Sequence, residues 1–418
     1  MGGCNLEKEA LKKTVPYWKQ ILFILTAGWV VIWIYRDAYP PIYPIIKEFF
    51  GGASDAQIGY ISSYYFLGYA CMQIPSGILV DKLGRKKILI PGFIIFGFGT
   101  LLVTTATILP VVYLGSVLSG LGCGTYYGVA YSLTNEFVPP KKRSIATAIV
   151  NSGTALGCGI GLISSNILVG GRIIPWQTIF LLPMFLIIVM LVIFTKYIRP
   201  EEIKERTISK GTSKKVSIKE FFKPQMVAAY ILYFSTLYTY YLIDTWLPNF
   251  LETERGIPNN FVGIISAMVF FVAIPGALIF SRLVDEMPQY KERFIIILEL
   301  LAASILLFTL SPITEGRQTL LIVGFILYGF FGKLAVEPII ISWLGQFAPR
   351  KNIATTYGVF NFFGMTASVL VPTVTGFISD KTGSKVYGFY LAICIILVGT
   401  LCFYWINKFF PTENLEKV

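Results

Sequence analysis

Long apolar stretches, poor in charge, recur from residue 18 to residue 408. A helix that crosses a bilayer needs about 20 predominantly apolar residues. The pattern predicts twelve such helices. Six lie at 18–46, 57–79, 88–108, 111–134, 145–168 and 176–197. Six more lie at 226–250, 260–281, 293–312, 319–344, 353–377 and 386–408. No charge occurs from Ile88 to Asn135, so spans three and four form a tight hairpin. Between spans six and seven the pattern changes. The stretch from Lys196 to Lys223 carries nine Lys/Arg and no apolar run of spanning length. The predicted fold is an all-α membrane protein of two six-helix halves, 18–197 and 226–408. A linker, 198–225, joins them, and short tails, 1–17 and 409–418, flank them.

An even number of passes puts both termini on one side. With that side cytoplasmic, 27 of the 35 Lys/Arg fall inside, 6 fall outside, and Arg36 and Lys333 lie within spans. Cytoplasmic loops of membrane proteins are enriched in Lys and Arg. The expected placement is therefore multi-pass in the cell membrane, with both termini cytoplasmic. The same rule accounts for the net charge of +12 without a nucleic-acid partner. The first 19 residues are too charged and interrupted to read as a cleaved signal peptide.

Composition agrees. Hydrophobic residues make up 55% and charged residues 14%, against about 25% charged in an average soluble domain. There is no histidine, which removes Ser-His-Asp and Cys-His nucleophile pairs, His-ligated metals and the HExxH motif. The six cysteines show no CxxC spacing, and five lie in apolar stretches as small packing residues. No GxxxxGK[ST] run is present. The expectation is a non-enzymatic chain with no metal and no cofactor. A sensor built on such a scaffold commonly adds a sizeable soluble segment, and the linker and tails here are short.

The halves echo each other. Gly77-Ile78-Leu79-Val80-Asp81 ends span two, and Ser281-Arg282-Leu283-Val284-Asp285 ends span eight. Phe137-Val138-Pro139 follows span four, and Phe347-Ala348-Pro349 follows span ten. Ile145-Ala146-Thr147 and Ile353-Ala354-Thr355 open spans five and eleven. A duplicated six-helix unit with a site between its copies is a transporter architecture.

The run Gly77-Ile78-Leu79-Val80-Asp81-Lys82-Leu83-Gly84-Arg85-Lys86-Lys87 resembles the loop 2–3 signature of the major facilitator superfamily, GxLxDrxGrkx. With twelve spans, the duplication and the central linker, the likeness covers nearly the whole chain. It implies a cytoplasmic latch in which Asp81 meets cationic loop residues and a helix N-terminus. Arg85 would pair with carboxylates across the bundle, and Gly77 and Gly84 would allow close packing and a tight turn. Asp285 is the weaker second-half counterpart, since the Gly-Arg continuation is missing there.

Away from the span ends, six charged residues fall within the spans: Arg36, Asp37, Asp244, Glu299, Lys333 and Glu337. A charge at mid-membrane costs about 2.5–3.5 kcal/mol on insertion scales, so each is a functional candidate. Arg36 and Asp37 precede Pro40, Pro41 and Pro44, which should break the outer part of span one. Glu337 stands at i+4 from Lys333, on the same helix face. The resemblance implies that spans one, four, seven and ten line a central cavity, with Arg36 and Lys333 facing it from opposite halves. Two cations there suit an anionic substrate, and an Arg fork can grip a carboxylate or phosphate bidentately. The plainer alternative pairs Arg36 with Asp37 and Lys333 with Glu337. Asp37, Glu337 and Asp244 are candidate proton carriers. Asp244, near the outer end of span seven, is a candidate rim or gate group. Glu299, on a span that packs peripherally in this superfamily, reads as structural or lipid-facing. Tyr127 and Tyr131 on span four, Tyr238 and Tyr241 on span seven, Asn151 on span five, and Tyr357 with Asn361 on span eleven supply candidate hydrogen bonds to a substrate.

Tyr35-Arg36-Asp37, Thr245-Trp246-Leu247-Pro248-Asn249-Phe250-Leu251 and Gly376-Phe377-Ile378-Ser379-Asp380-Lys381-Thr382-Gly383-Ser384 resemble the anion:cation symporter branch. That branch often carries a glutamate on span four, where this chain reads Gly122-Cys123-Gly124-Thr125. Span five also lacks the Gly-Pro pair of the antiporters. The expected function is a monomeric secondary transporter of a small organic anion, a carboxylate or sugar acid, coupled to H+ or Na+. The alternative is an exporter of drugs, sugars or other neutral or cationic solutes.

Overall fold

The computed structural model describes residues 16–139, 143–199, 221–347 and 353–410. The predicted tails and linker fall mostly outside these residues. Within them the chain is helical with no strand, and it makes twelve passes. Ten of these are long and apolar enough by themselves to cross a bilayer.

Pass one is α1 (Tyr17–Asp37), a 3-10 turn at Pro40–Ile42, and α2 (Tyr43–Phe49). The helix stops where the prolines withdraw amide donors. Then come α3 (Asp55–Leu83) and α4 (Arg85–Thr104). Gly84 joins them at φ 87°, a backbone conformation that residues with a Cβ rarely adopt. Pass four is split into α5 (Leu109–Gly124) and α6 (Tyr126–Phe137). Then α7 (Arg143–Ser165) runs into a π-turn at Asn166–Gly170. A 3-10 turn at Trp176–Phe180 leads into α8 (Leu181–Tyr197) and closes the first half.

The second half holds α9 (Pro224–Thr253), α10 (Asn259–Glu286) and α11 (Lys291–Thr309). Pass ten is split into α12 (Gln318–Phe331) and α13 (Lys333–Leu344), with α14 (Ile353–Thr382) and α15 (Val386–Phe409) following. The duplication seen in the sequence is repeated in the helices. Passes four and ten, corresponding members of the two halves, both break near their middle, at Thr125 and Gly332.

Burial follows the position of each helix in the bundle. On α8 the buried residues are Pro183, Ile187, Met190 and Phe194, a single stripe at helical spacing. Phe185 and Val192 on its other face are open to the surroundings, as lipid-facing residues are. By contrast, α9 is buried along almost its whole length, from Met226 to Leu251. Lipid tails are as apolar as leucine, so helix association in a membrane depends on close packing rather than on the hydrophobic effect. Gly153, Gly157 and Gly161 of α7 supply it here, lying against the backbone of Thr26, Val30 and Ile34 of α1. A Cβ at any of the three would collide with α1.

The halves meet along two seams, α3 against α14 and α7 against α10. Both seams include close backbone approaches, at Gly59, Gly376 and Gly263, toward the end of the bundle opposite the termini, called the far end below.

Candidate functional site

Helix α9 carries the polar core of the bundle. Tyr233, Tyr240, Tyr241 and Asp244 fall at i, i+7, i+8 and i+11, which places them on one stripe. At about 1.5 Å per residue the stripe is roughly 16 Å long. Two charged clusters sit along it.

The deeper cluster centres on Arg36 of α1. Its guanidinium meets Asp37 at 3.1 Å and Asp244 of α9 across the boundary between the halves. Arg36 is 7% exposed, and the two carboxylates are each 1% exposed. Three rings surround the cation: Trp33 at 4.5 Å, Phe66 at 4.6 Å and Tyr241 at 5.4 Å. Phe66 and Tyr241 also touch each other across the halves, at 4.8 Å between ring centres. A cavity of about 10 Å³ adjoins Arg36, lined by Tyr35, Tyr39, Ile61, Ser62 and Tyr65, all of the first half. Small-molecule sites typically hold about 300–1,000 Å³, so this cavity is far smaller than a substrate.

Asp244 therefore stands elsewhere than the sequence suggests. It is expected at the rim, and it is buried against Arg36. The helix continues through Pro248 to Thr253, and the segment Pro40–Phe49 folds over the far end. Asp37, Cys158 and Asp244 also bring possible metal-ligand atoms within 4.8 Å of one another. The cation already between the carboxylates is the guanidinium.

The second cluster lies nearer the termini. Lys333 and Glu337, both on α13, pair at 2.9 Å with side chains 15% and 21% exposed. Tyr233 donates to Glu337 at 2.5 Å, and the Lys333 ammonium lies 4.8 Å from the Tyr240 ring. Tyr240 and Tyr241 touch at 5.2 Å, so adjacent rings of α9 connect the two clusters.

The other predicted residues are scattered. Tyr127 is 40% exposed, with its ring 6.4 Å from Trp29. Asn361 donates to Gln73 across the halves at 3.2 Å. Tyr357 donates to the Ile341 carbonyl at 3.3 Å. Tyr238 is buried against Phe234, and its hydroxyl has no hydrogen-bond partner among the described residues. Asn151 is exposed on α7. The side chains of Tyr131 and Asp81 lie outside what the structure describes. Around them, Gly77 leaves open space where a Cβ would be, Arg85 is buried, and Asp285 is exposed. Glu299 is not lipid-facing: it is 1% exposed, and Thr236 of α9 donates to it.

Sequence reasoning missed the clamp at the far end. Asp55, at the start of α3 and before the predicted span, pairs with Lys47 at 2.9 Å and with Lys385 of the other half at 2.9 Å. Ser379 donates to it at 2.6 Å. Burial pushes the Asp55 carboxyl upward, but Lys385, Ser379 and Lys47 together hold it below the ordinary carboxylate value. Asp380 accepts hydrogen bonds from the backbone amides of Asp55 (2.7 Å) and Ala56 (2.9 Å). Glu254 accepts from Ser384 and from the Lys385 amide. On the second seam, Asn166 of the π-turn donates to Asn259 at 3.1 Å and accepts from the Gly263 amide at 3.0 Å. The signal for the clamp was present only as Ser379-Asp380 within a resemblance, and nothing local ties it to Asp55.

Residues 22–372 match the family model of the Major Facilitator Superfamily. The chain is 25% identical over 392 residues to the hexuronate transporter of Bacillus subtilis, covering 89% of this chain and 90% of that one. It is 22% identical over 387 residues to the D-galactonate transporter of Escherichia coli O6:H1, covering 86% and 88%. In fold it is similar to a bacterial homolog of the human lysosomal transporter Spinster, solved in an inward-facing and occupied conformation. The TM-score is 0.76 at 16% identity, over 97% of this chain and all of that one. A twelve-pass bundle in two halves, charged groups at the centre of their boundary and a family match over most of its length identify the chain as a multi-pass membrane transporter of the major facilitator superfamily.

Proposed function

We propose that the protein is a secondary transporter of a small organic anion, a carboxylate or sugar acid, and that it works by alternating access. The observation that carries this reading is Arg36. It is a permanently charged fork, desolvated at the centre of the boundary between the halves, with both of its anionic partners supplied by the protein itself. The relatives named for hexuronate and D-galactonate transport fit the same substrate chemistry, since both are sugar carboxylates.

In this reading the halves, 18–197 and 226–408, rock about the stripe on α9. The substrate carboxylate takes Arg36, and its hydroxyls meet the tyrosines on α9. Lys333 is a second cationic contact nearer the termini. Coupling to H+ or Na+ runs through the carboxylates beside these cations, Asp37, Asp244 and Glu337. The run from Gly77 to Arg85, with Asp285, latches the termini side, and the clamp at Asp55 latches the far side. The protein works as a monomer in the cell membrane with both termini cytoplasmic.

The test is thermal stability of the purified protein against mono- and dicarboxylates, sugar acids, phosphates, neutral sugars and lipophilic cations. A ligand that binds only the folded state raises the melting temperature. Stabilisation by a carboxylate that disappears in Arg36→Ala supports the reading. Stabilisation by neutral or cationic solutes alone, unchanged in that variant, replaces it with the exporter.

A further inference from the structure

We propose that Asp244 is an internal rival of the substrate, holding Arg36 until a carboxylate takes its place and thereby tying the two halves together. The proposal rests on the reading of Arg36 as the anion site. It gives Asp244, a rim or gate candidate in the sequence, a pairing with Arg36 that neither the sequence nor the relatives' names assign.

The geometry distinguishes the two carboxylates on Arg36. Asp37 is its chain neighbour and travels with it however the halves move. Asp244 is on α9 and belongs to the other half, so its bond to Arg36 lasts only while the halves are closed here. The guanidinium offers five N–H donors in a planar fork. Trp33, Phe66 and Tyr241 crowd around it, and one terminal nitrogen serves Asp37 while the other serves Asp244. An arriving carboxylate therefore competes for donors that Asp244 already occupies.

Energetics gives the rivalry a direction. Taking one partner from a buried ion pair leaves an uncompensated charge and is strongly unfavourable. Without a substitute anion, Asp244 cannot leave Arg36 cheaply, and the centre stays closed. A substrate carboxylate supplies the substitute, and Asp244 is then free to separate with its own half and meet water. The second cluster lacks this property. Lys333 and Glu337 are one turn apart on α13, so exchanging partners there does not loosen one half from the other.

Cys158 supplies a native reporter. Its sulfur lies within 4.8 Å of Asp37 and Asp244, and the residue is fully buried. The experiment uses the full-length protein and two readouts: calorimetric binding of D-glucuronate, and the rate of N-ethylmaleimide modification at Cys158, located by peptide mass spectrometry. Asp244→Asn keeps the size of the side chain and removes its charge. It is expected to bind glucuronate about tenfold or more tightly than wild type and to expose Cys158 to maleimide without ligand. Asp244→Glu keeps the carboxylate and is expected to resemble wild type in both. In wild type, glucuronate is expected to accelerate Cys158 modification. Equal or weaker binding by a normally melting Asp244→Asn overturns the proposal. If wild type does not bind glucuronate, the functional reading fails by itself, and the alkylation rate decides the tie: an unchanged rate in Asp244→Asn refutes it.

Discussion

Gly59 of α3 lies against the backbone carbonyl of Pro372 of α14, so the two halves touch there with no side chain between them. Ser63 and Thr373, one turn along, bond across the same seam at 2.8 Å. A Cβ at position 59 overlaps that carbonyl, and backbone cannot move aside as a flexible side chain would. Gly59→Val is expected to hold the far ends apart. Spin labels at the exposed positions Phe49 and Lys381 should then report a longer and broader distance distribution than in wild type. An unchanged distribution would show that the seam tolerates the bulk.

Arg36→Ala leaves Asp37 and Asp244 facing each other without a cation. Losing one partner of a buried ion pair costs about 3–5 kcal/mol, so the variant should melt well below wild type and bind no sugar acid. The triple variant Arg36→Met/Asp37→Asn/Asp244→Asn removes the charges together. It should recover most of the melting temperature and none of the binding. Recovery of binding in the triple variant would make Arg36 a structural group.

The clamp at Asp55 has a defined pH dependence. Its carboxyl is held below the ordinary value of 3.8. A group whose pKa is depressed by folding adds stability that is complete above its unfolded pKa and is lost as pH falls through the folded one. The contribution should be whole at neutral pH and disappear only below about pH 3.8. Melting curves between pH 7 and pH 3 should therefore converge for wild type and Asp55→Asn at the acid end. A gap between the two that stays constant with pH would remove Lys385 as the cause.

Lys333→Ala removes a cation whose partner, Glu337, keeps its hydrogen bond from Tyr233. With Arg36 intact, transport should persist. A hydrogen bond to a charged group is worth about 1.5–3 kcal/mol, so the KM for a sugar acid should rise about tenfold or more. Uptake into proteoliposomes measures this directly. A collapse of the maximal rate with KM unchanged would instead place Lys333 in the conformational cycle.

Much of the fold was legible because the bilayer imposes a length. Pass α8 declares itself through an unbroken apolar run, and the end of α1 through Pro40 and Pro41. The passes α3 and α11 fall short of that apolar signal. Tyrosine, serine and glycine dilute the first, while Glu292, Arg293 and Glu299 dilute the second. Their length and the duplicated pattern recover them. The breaks at Thr125 and Gly332 were not legible, since many other glycines here sit inside unbroken helices. The site was legible in its parts but not in its pairings. Arg36 announces itself as a charge within a span. Its bond to Asp244 joins residues of different halves and exists only once the halves close. Asp55 and Lys385 are hidden for the same reason, standing at helix starts beside short polar loops that carry no periodicity of their own.

The bonds from Asp380 to the first amides of α3 make that helix a timekeeper. Asp55 and Ala56 give their amide protons to a residue of the other half. In the proposed alternating access, each opening of the far end bares those two protons to solvent, and each closing shields them again. Deuterium uptake at these two positions thus counts excursions of the unmodified protein, with no label attached. Substrate that quickens the cycle should quicken that count.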